Sequence, residues 1–420
     1  MADDRLPQTA SFVAPKDASL QRRLGAARDA SMERSLADLI RTVEQARRPR
    51  SLAVIDLAGA GPPRSAGWHA QDERYVASMA KMPLGVAAFQ LREDIRASAD
   101  LTGPRTRAEA WRGLLSHWTA SPSPLVSRLG RLKASQLPDY QRILDPRFDE
   151  TGLPADLELE AGTRRRLAGD YTEEYIDRLD ELDDQLDAKG TTNTERYELL
   201  GALPFHDVLH LALRWSNNWA ATACVTTLGV PYLMTCMAQL GLFDPRSRTG
   251  LHLGGWYAAP DKRARRLISP VSVPVVPQPP RGNEMGASTQ AGSSASFALL
   301  FACLSQGLVV PGSVHLLRPM LDHLRVSVRM KRMFAGDITP APTEHIAKVG
   351  IHKPGKVTAA TPQIWSDSVS LSADPPTPGG TGGFAFSCSA TGFTTEDDMH
   401  AFGERLLKWV KVETAFAHAP

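Results

Sequence analysis

Ser78 and Lys81 stand three residues apart in the stretch RYVASMAKMPLGVAAFQL (residues 74–91), at the mouth of an apolar run of helical period. On a helix, that spacing brings a hydroxyl and an amine onto the same face, one turn from each other. A serine hydroxyl is a poor nucleophile at neutral pH, and a neighbouring base that takes its proton can activate it. For a lysine to be that base it must lose its own proton near neutrality, about 3 units below its ordinary value or roughly 4 kcal/mol. Burial and a second cation nearby both push in that direction. An isolated pair with this spacing carries little weight in a chain of 420 residues, so the case depends on partners elsewhere.

The elements that must position such partners can be read from hydropathy. At 420 residues, with 42% hydrophobic and 22% charged side chains, the chain can bury a large core and falls in the ordinary globular range. A net charge of +2 gives no basic stripe for nucleic acid and no cationic membrane surface. The first residues, MADDRLPQTASF, lack the apolar core of a secretory leader, and no run of about 18 apolar residues marks a membrane span. With Met1 as a natural start, the expectation is a cytoplasmic protein. The four cysteines (Cys224, Cys236, Cys303 and Cys388) show neither metal nor disulfide spacing and read as buried thiols.

Along the chain, residues 1–29 read as a flexible arm. Leu36, Leu39, Ile40 and Val43 at helical spacing begin the first helix, and SLAVIDL (51–57) and SAGWHA (65–70) read as strands. Residues 100–195 read as an inserted helical subdomain, with Ile176, Leu179, Leu182 and Leu186 as the apolar stripe of an acidic helix whose charges form a solvated face. Core helices follow over 203–242, then a Pro-rich extended loop (268–283) and another apolar helix. TEHIAKVGIH, SDSVSLS and GFAFSCSATGF have period-two patterning, and EDDMHAFGERLLKWVKV closes the chain as an amphipathic helix. This order predicts an α+β fold. A single antiparallel sheet comes from both chain ends (30–75 and 301–415), and a helical lobe (76–300) is inserted between them.

Within that frame Ser78-x-x-Lys81 is joined by Ser216-Asn217-Asn218 at the end of a helix and by Lys348-Val349-Gly350 in a strand. The ordered set resembles the S-x-x-K, S-x-N and K-T-G elements of the penicillin-recognising serine hydrolases, class A β-lactamases and D,D-peptidases. MERSLADLIRTVEQARRPRSLAVIDLAGAG is similar to that family's opening helix and strand, SMAKMP to its S-x-x-K-x-P form, and FHDVLHLALRWSNNWAATACVTTLG to its helix, S-D-N, helix passage. The resemblance covers about 30–98 and 203–415 and leaves the insertion outside it. It implies a β-lactamase/transpeptidase-like fold and an acyl-serine on Ser78, with Lys81 as base and Lys348 as second cation. Ser216 would relay the proton to the leaving group, and Asn218 would hold Lys81 and the substrate amide. The oxyanion hole would be the N–H groups of Ser78 and Ile351, with Gly350 keeping the strand open to substrate.

Two departures from the family pattern bear on substrate and turnover. Val349 takes the place of the hydroxyl residue that helps hold a substrate carboxylate. No glutamate stands where class A enzymes carry the one that activates the deacylating water; Glu284 or Asp261 could substitute. The implied activity is an active-site serine hydrolase on a small-molecule or peptide-like acyl compound, with no cofactor, metal, nucleic acid or membrane; the alternatives are a cytosolic acyltransferase or esterase of the same fold, or a catalytically inactive binding domain.

Other signals have plainer readings. His206 and His210 have zinc-helix spacing, but Asp207 stands in place of a glutamate and no third ligand is evident. Lys353-Pro354-Gly355 has a proline where a strand beside a substrate needs an N–H. GGTGG (379–383) reads as a hairpin loop, and Trp215 and Trp219 as core packing.

Overall fold

The computed structural model describes residues 19–59, 61–102, 106–143, 173–245, 247, 249–253, 290–311, 313–321, 333–334, 338, 342–352, 363–373 and 383–417. The predicted segments around Asp261, 268–283, Glu284, Lys353 and residues 379–382 of GGTGG lie outside these residues.

The chain begins with α1 (Leu20–Leu24), β1 (Ala27–Arg28) and α2 (Ala30–Arg41). Asp29 starts α2 by accepting from the N–H groups of Ser31 and Met32 at 2.8 and 2.9 Å. Met32, Leu36 and Ile40 then bury one stripe. A hairpin, β2 (Ser51–Asp56) and β3 (Arg64–Trp68), leads through β4 (Arg74–Tyr75) to a 3-10 turn (Ala77–Lys81) and the long helix α3 (Met82–Thr102). The insertion contributes α4 (Arg107–Ala120), α5 (Pro124–Leu129), α6 (Tyr140–Ile143), α7 (Glu173–Asp187) and α8 (Asn193–Ala202). The core helices α9 (Phe205–Leu213), α10 (Asn218–Leu228) and α11 (Val230–Gln239) follow. Short strands β5 to β8 (Phe243–Asp244, Thr249–Gly250, His252–Leu253 and Gln290–Gly292) precede α12 (Ser294–Ser305) and α13 (Val314–Leu317). The chain ends with β9 (Glu344–His352), β10 (Ile364–Ala373), β11 (Phe384–Phe393) and α14 (Glu396–Ala417).

The main sheet has the order β1-β3-β2-β11-β10-β9, antiparallel throughout except for the short β1–β3 pair. The fold is α+β, and both chain ends build the sheet: β2 pairs with β11 from Ser51 opposite Thr391 to Asp56 opposite Phe386. Alternation along β2 sends Leu52 and Val54 into one apolar layer with α2 and α14, and Ala53 and Ile55 into the other, with the helical lobe. Buried serines recur on β10 and β11. Ser368 bonds Ser389 at 2.8 Å, and Ser387 donates to the Ala298 carbonyl of α12 at 2.8 Å. Small hydroxyl side chains let α12 lie close while satisfying one another.

Three expectations shift. Residues 20–28 are not a loose arm: Leu20 and Leu24, four apart, are buried, and β1 adds to the sheet edge beside β3. The helix α12 straddles the predicted boundary at residue 300 and packs on the sheet. The buried side chains of α7 include Tyr175, Leu179, Asp183 and Leu186, with Ile176 and Leu182 only half-buried, so the stripe is rotated from the one predicted and contains an acid. All four cysteines are buried. Among the described residues no single helix is long and apolar enough to cross a membrane.

Candidate active site

Two elements carry the Ser78–Lys81 pair. In the 3-10 turn Ala77–Lys81, residues three apart eclipse each other, so Ser78 and Lys81 sit on one side of it. Ala77, immediately before the serine, has a φ of 45°, a left-handed conformation that costs a non-glycine residue of order 1 kcal/mol or more. Against this turn lies β9, the edge strand of the sheet. A Cβ on Gly350 would fall 2.1 Å from the Val76 carbonyl oxygen and 3.0 Å from the Met79 nitrogen. Gly350 is therefore needed because the backbone on both sides of Ser78 packs directly on the strand. The expected role, an open surface for substrate, is replaced by this contact of the chain with itself.

Ser216 has a φ of 61°, also left-handed, in the tight turn between α9 and α10. Asn217 caps α10 through its side-chain oxygen, which accepts from Trp219 and Ala220 at 2.9 and 3.0 Å, while its own N–H reaches back to the Leu211 carbonyl at 2.9 Å. The turn presents its polar groups to two buried amines. Lys81 Nζ donates to the Ser216 carbonyl, to Asn218 Oδ1 at 2.8 Å and to Ser216 Oγ at 3.3 Å. Lys348 Nζ donates to the Leu213 carbonyl at 2.6 Å and to Ser216 Oγ at 2.9 Å.

Both lysines are 0% exposed, which is uncommon for this residue type unless the ammonium is well partnered. Burial pulls Lys81 down to about 7, against the opposing pull of Asp183, Asp187 and Cys224. An amine half-deprotonated at neutral pH can take up and give back a proton in one catalytic cycle.

The structure thus gathers Lys81, Ser216, Asn218 and Lys348 in one place, with the half-buried Ser78 on the adjoining turn. One expected contact differs: among the described residues the Ser78 hydroxyl makes no hydrogen bond to Lys81, whose amine is held by the Ser216–Asn218 turn instead. Val349 is not in the cleft. It is 0% exposed and packs in the apolar layer with α2 and α14, because its side chain leaves the strand on the face opposite Lys348 and Gly350. Ile351 lies on the edge strand opposite Trp365 of β10. Glu284, the candidate deacylation acid, lies outside the described residues.

The chain is similar to class A β-lactamases. An ancestral class A β-lactamase aligns over 90% of this chain and 99% of its own, at 13% identity and a TM-score of 0.44. The β-lactamase from Streptomyces albus G aligns over the same shares at 13% identity and 0.41. The one from Chitinophaga pinensis covers 91% and 99% at 12% identity and 0.42. At these values the likeness has no bearing on the chemistry, which depends on the side chains described above. No protein-family model and no curated protein matches the sequence.

Several groups that bear on the site escape motif reading. Asp183 and Asp187 of α7 bond Asn217 Nδ2 at 2.8 and 3.4 Å. The acidic helix, expected to be a solvated face, turns one carboxylate inward. Trp215 donates its indole N–H to Asp180, and the Arg196 guanidinium sits 4.5 Å over the Trp219 ring, so both tryptophans are gripped by the insertion. Farther along α9, Asp207 accepts from Tyr175 at 2.7 Å and Arg178 at 2.7 Å and contacts His206 at 2.8 Å. That cluster ties α7 to the helix that delivers Ser216 and gives His206 an anionic partner.

Proposed function

We propose that the protein is an active-site serine hydrolase or acyltransferase of β-lactamase/D,D-peptidase type, acting on an amide, ester or β-lactam carbonyl of a small-molecule or peptide-like substrate. The observation that carries this reading is the fully buried Lys81, brought to about 7 and held by Ser216 and Asn218 while Lys348 from the sheet shares the same hydroxyl. A structural lysine has no need of a second buried amine beside it.

In this mechanism Lys81 removes the Ser78 proton as Oγ bonds to the substrate carbonyl carbon. The tetrahedral oxyanion is stabilised by the N–H groups of Ser78 and Ile351. Its collapse breaks the bond to the leaving amine or alcohol, which takes a proton through Ser216, and leaves an acyl-serine. Water or another acceptor then releases the acyl group. The packing of Val349 into the core removes it from substrate binding, so carboxylate recognition through that position is not part of the proposal.

A second reading has one observation in its favour: the hydroxyl that touches both amines is Ser216, not Ser78. Intact mass and peptide mapping after incubation with a fluorophosphonate and with a penicillin decide between them. The expected result is a single adduct on Ser78, lost in Ser78→Ala. An adduct on Ser216 that persists in Ser78→Ala would reassign the nucleophile, and a folded wild type unmodified by every acylating probe would remove the enzyme reading.

A further inference from the structure

Among the described residues, α7 of the insertion reaches the Ser216–Asn218 turn. Asp183 is 5% exposed on the inward side of α7, in line with Leu179 and Leu186. Its carboxylate accepts from Asn217 Nδ2 at 2.8 Å, and the other end of the same side chain caps α10. Asn217 therefore spans from the insertion to the helical core. Its two neighbours, Ser216 and Asn218, supply the oxygens that receive the Lys81 ammonium. The left-handed backbone at Ser216 needs such over-determination to persist.

We infer that α7 is a working part of the active site. Asp183 is its positioning residue: through Asn217 it fixes the turn that holds Lys81, and its negative charge offsets the buried ammonium. This goes beyond the serine-hydrolase reading and takes its functional meaning from it. Lys81 is faced by Lys348 from β9, by Cys224 from α10 and by Asp183 and Asp187 from α7. Burial pushes the Cys224 thiol up to about 12, so it is neutral. Lys348 shares the Ser216 hydroxyl with Lys81. The two aspartates favour the Lys81 ammonium, and Asp187 is exposed and screened by water. Among the described residues, Asp183 is thus the buried counter-charge.

The test uses the full chain with lysines carrying 13C at the ε carbon. The Lys81 signal is assigned by its loss in Lys81→Arg and titrated by NMR, beside the pH dependence of fluorophosphonate capture. Asp183→Asn keeps an oxygen for Asn217 and removes the charge. The Lys81 midpoint is expected to fall by about 1 pH unit or more, and the acid limb of the capture profile to move down with it. Asp187→Asn, at an exposed position that does not endanger folding, is expected to shift it the same way by less. Midpoints unchanged in both variants would overturn the inference. A shifted midpoint in a protein that no acylating probe modifies would leave the role of Asp183 standing and remove the hydrolase reading instead.

Discussion

Changing Lys81 to methionine is expected to slow covalent capture at Ser78 by about 10³-fold, within the range that loss of a general base produces, and to change how stability responds to pH. The kinetic effect follows from the geometry: among the described residues of the cluster, Lys81 is the amine brought to about 7, while Lys348 donates to the Leu213 carbonyl and Ser216. The stability effect follows from linkage. Unfolded, Lys81 keeps its proton up to the ordinary value of 10.5; folded, it releases it near 7. Between those values the unfolded chain binds more protons, so stability rises with pH across that window and is flat below it.

At 1.36 kcal/mol per pH unit, the ammonium form held inside the protein costs on the order of 5 kcal/mol below pH 7, relieved as pH climbs toward 10.5. Methionine fills the same volume without titrating. Urea unfolding of wild type and variant at pH 6.5 and 9.5 should therefore show wild type gaining about 3 kcal/mol relative to Lys81→Met over that interval. A constant difference would mean that the amine does not titrate in the folded protein, and the base would have to be sought elsewhere.

Gly350→Ala is the second large effect. Its Cβ would meet backbone atoms, not the flexible end of a side chain: the Val76 carbonyl at 2.1 Å and the Met79 nitrogen at 3.0 Å. These atoms flank Ser78, and Met79 N is bonded to Val76 O at 3.1 Å. Relief requires the edge strand and the 3-10 turn to separate by an ångström or more. Overpacking of this kind costs roughly 2–3 kcal/mol, and a displacement of that size at a nucleophile costs about 10²-fold in rate. Thermal melting and the rate of probe capture measure the two effects separately. A variant with wild-type melting and wild-type capture would show that β9 and the turn do not touch as described.

The parts legible in the sequence are those specified by neighbours in the chain. The three polar triplets are local, and the period-two segments of β9, β10 and β11 and the closing helix announced themselves by pattern. The same pattern, followed one step further, separates Val349 from Lys348 and Gly350, since alternate residues of a strand face opposite ways. Reading the triplet as a unit put it in the cleft, whereas the sheet puts it in the core. Likewise Leu20 and Leu24 stood at helical spacing within residues read as an arm.

Asp183 was harder to see. It lies four residues after Leu179 and three before Leu186, on the buried line of α7, but the neighbouring acids 180, 181, 184 and 187 made the whole run look like a wet surface. What distinguishes it is a partner, Asn217, 34 residues away, and no local pattern encodes that pairing. The left-handed backbone at Ala77 and Ser216 was also invisible, because neither residue type signals it.

The pairing of β2 with β11 has a consequence for biosynthesis. Ile55 must find Ser387, so an apolar hairpin made early waits for a partner strand translated more than 300 residues later. At 5–20 residues per second that delay is roughly 15–65 s. Throughout it the edge of a β2 hairpin formed early would be open to any passing chain, which makes this strand the expected aggregation liability of the nascent protein.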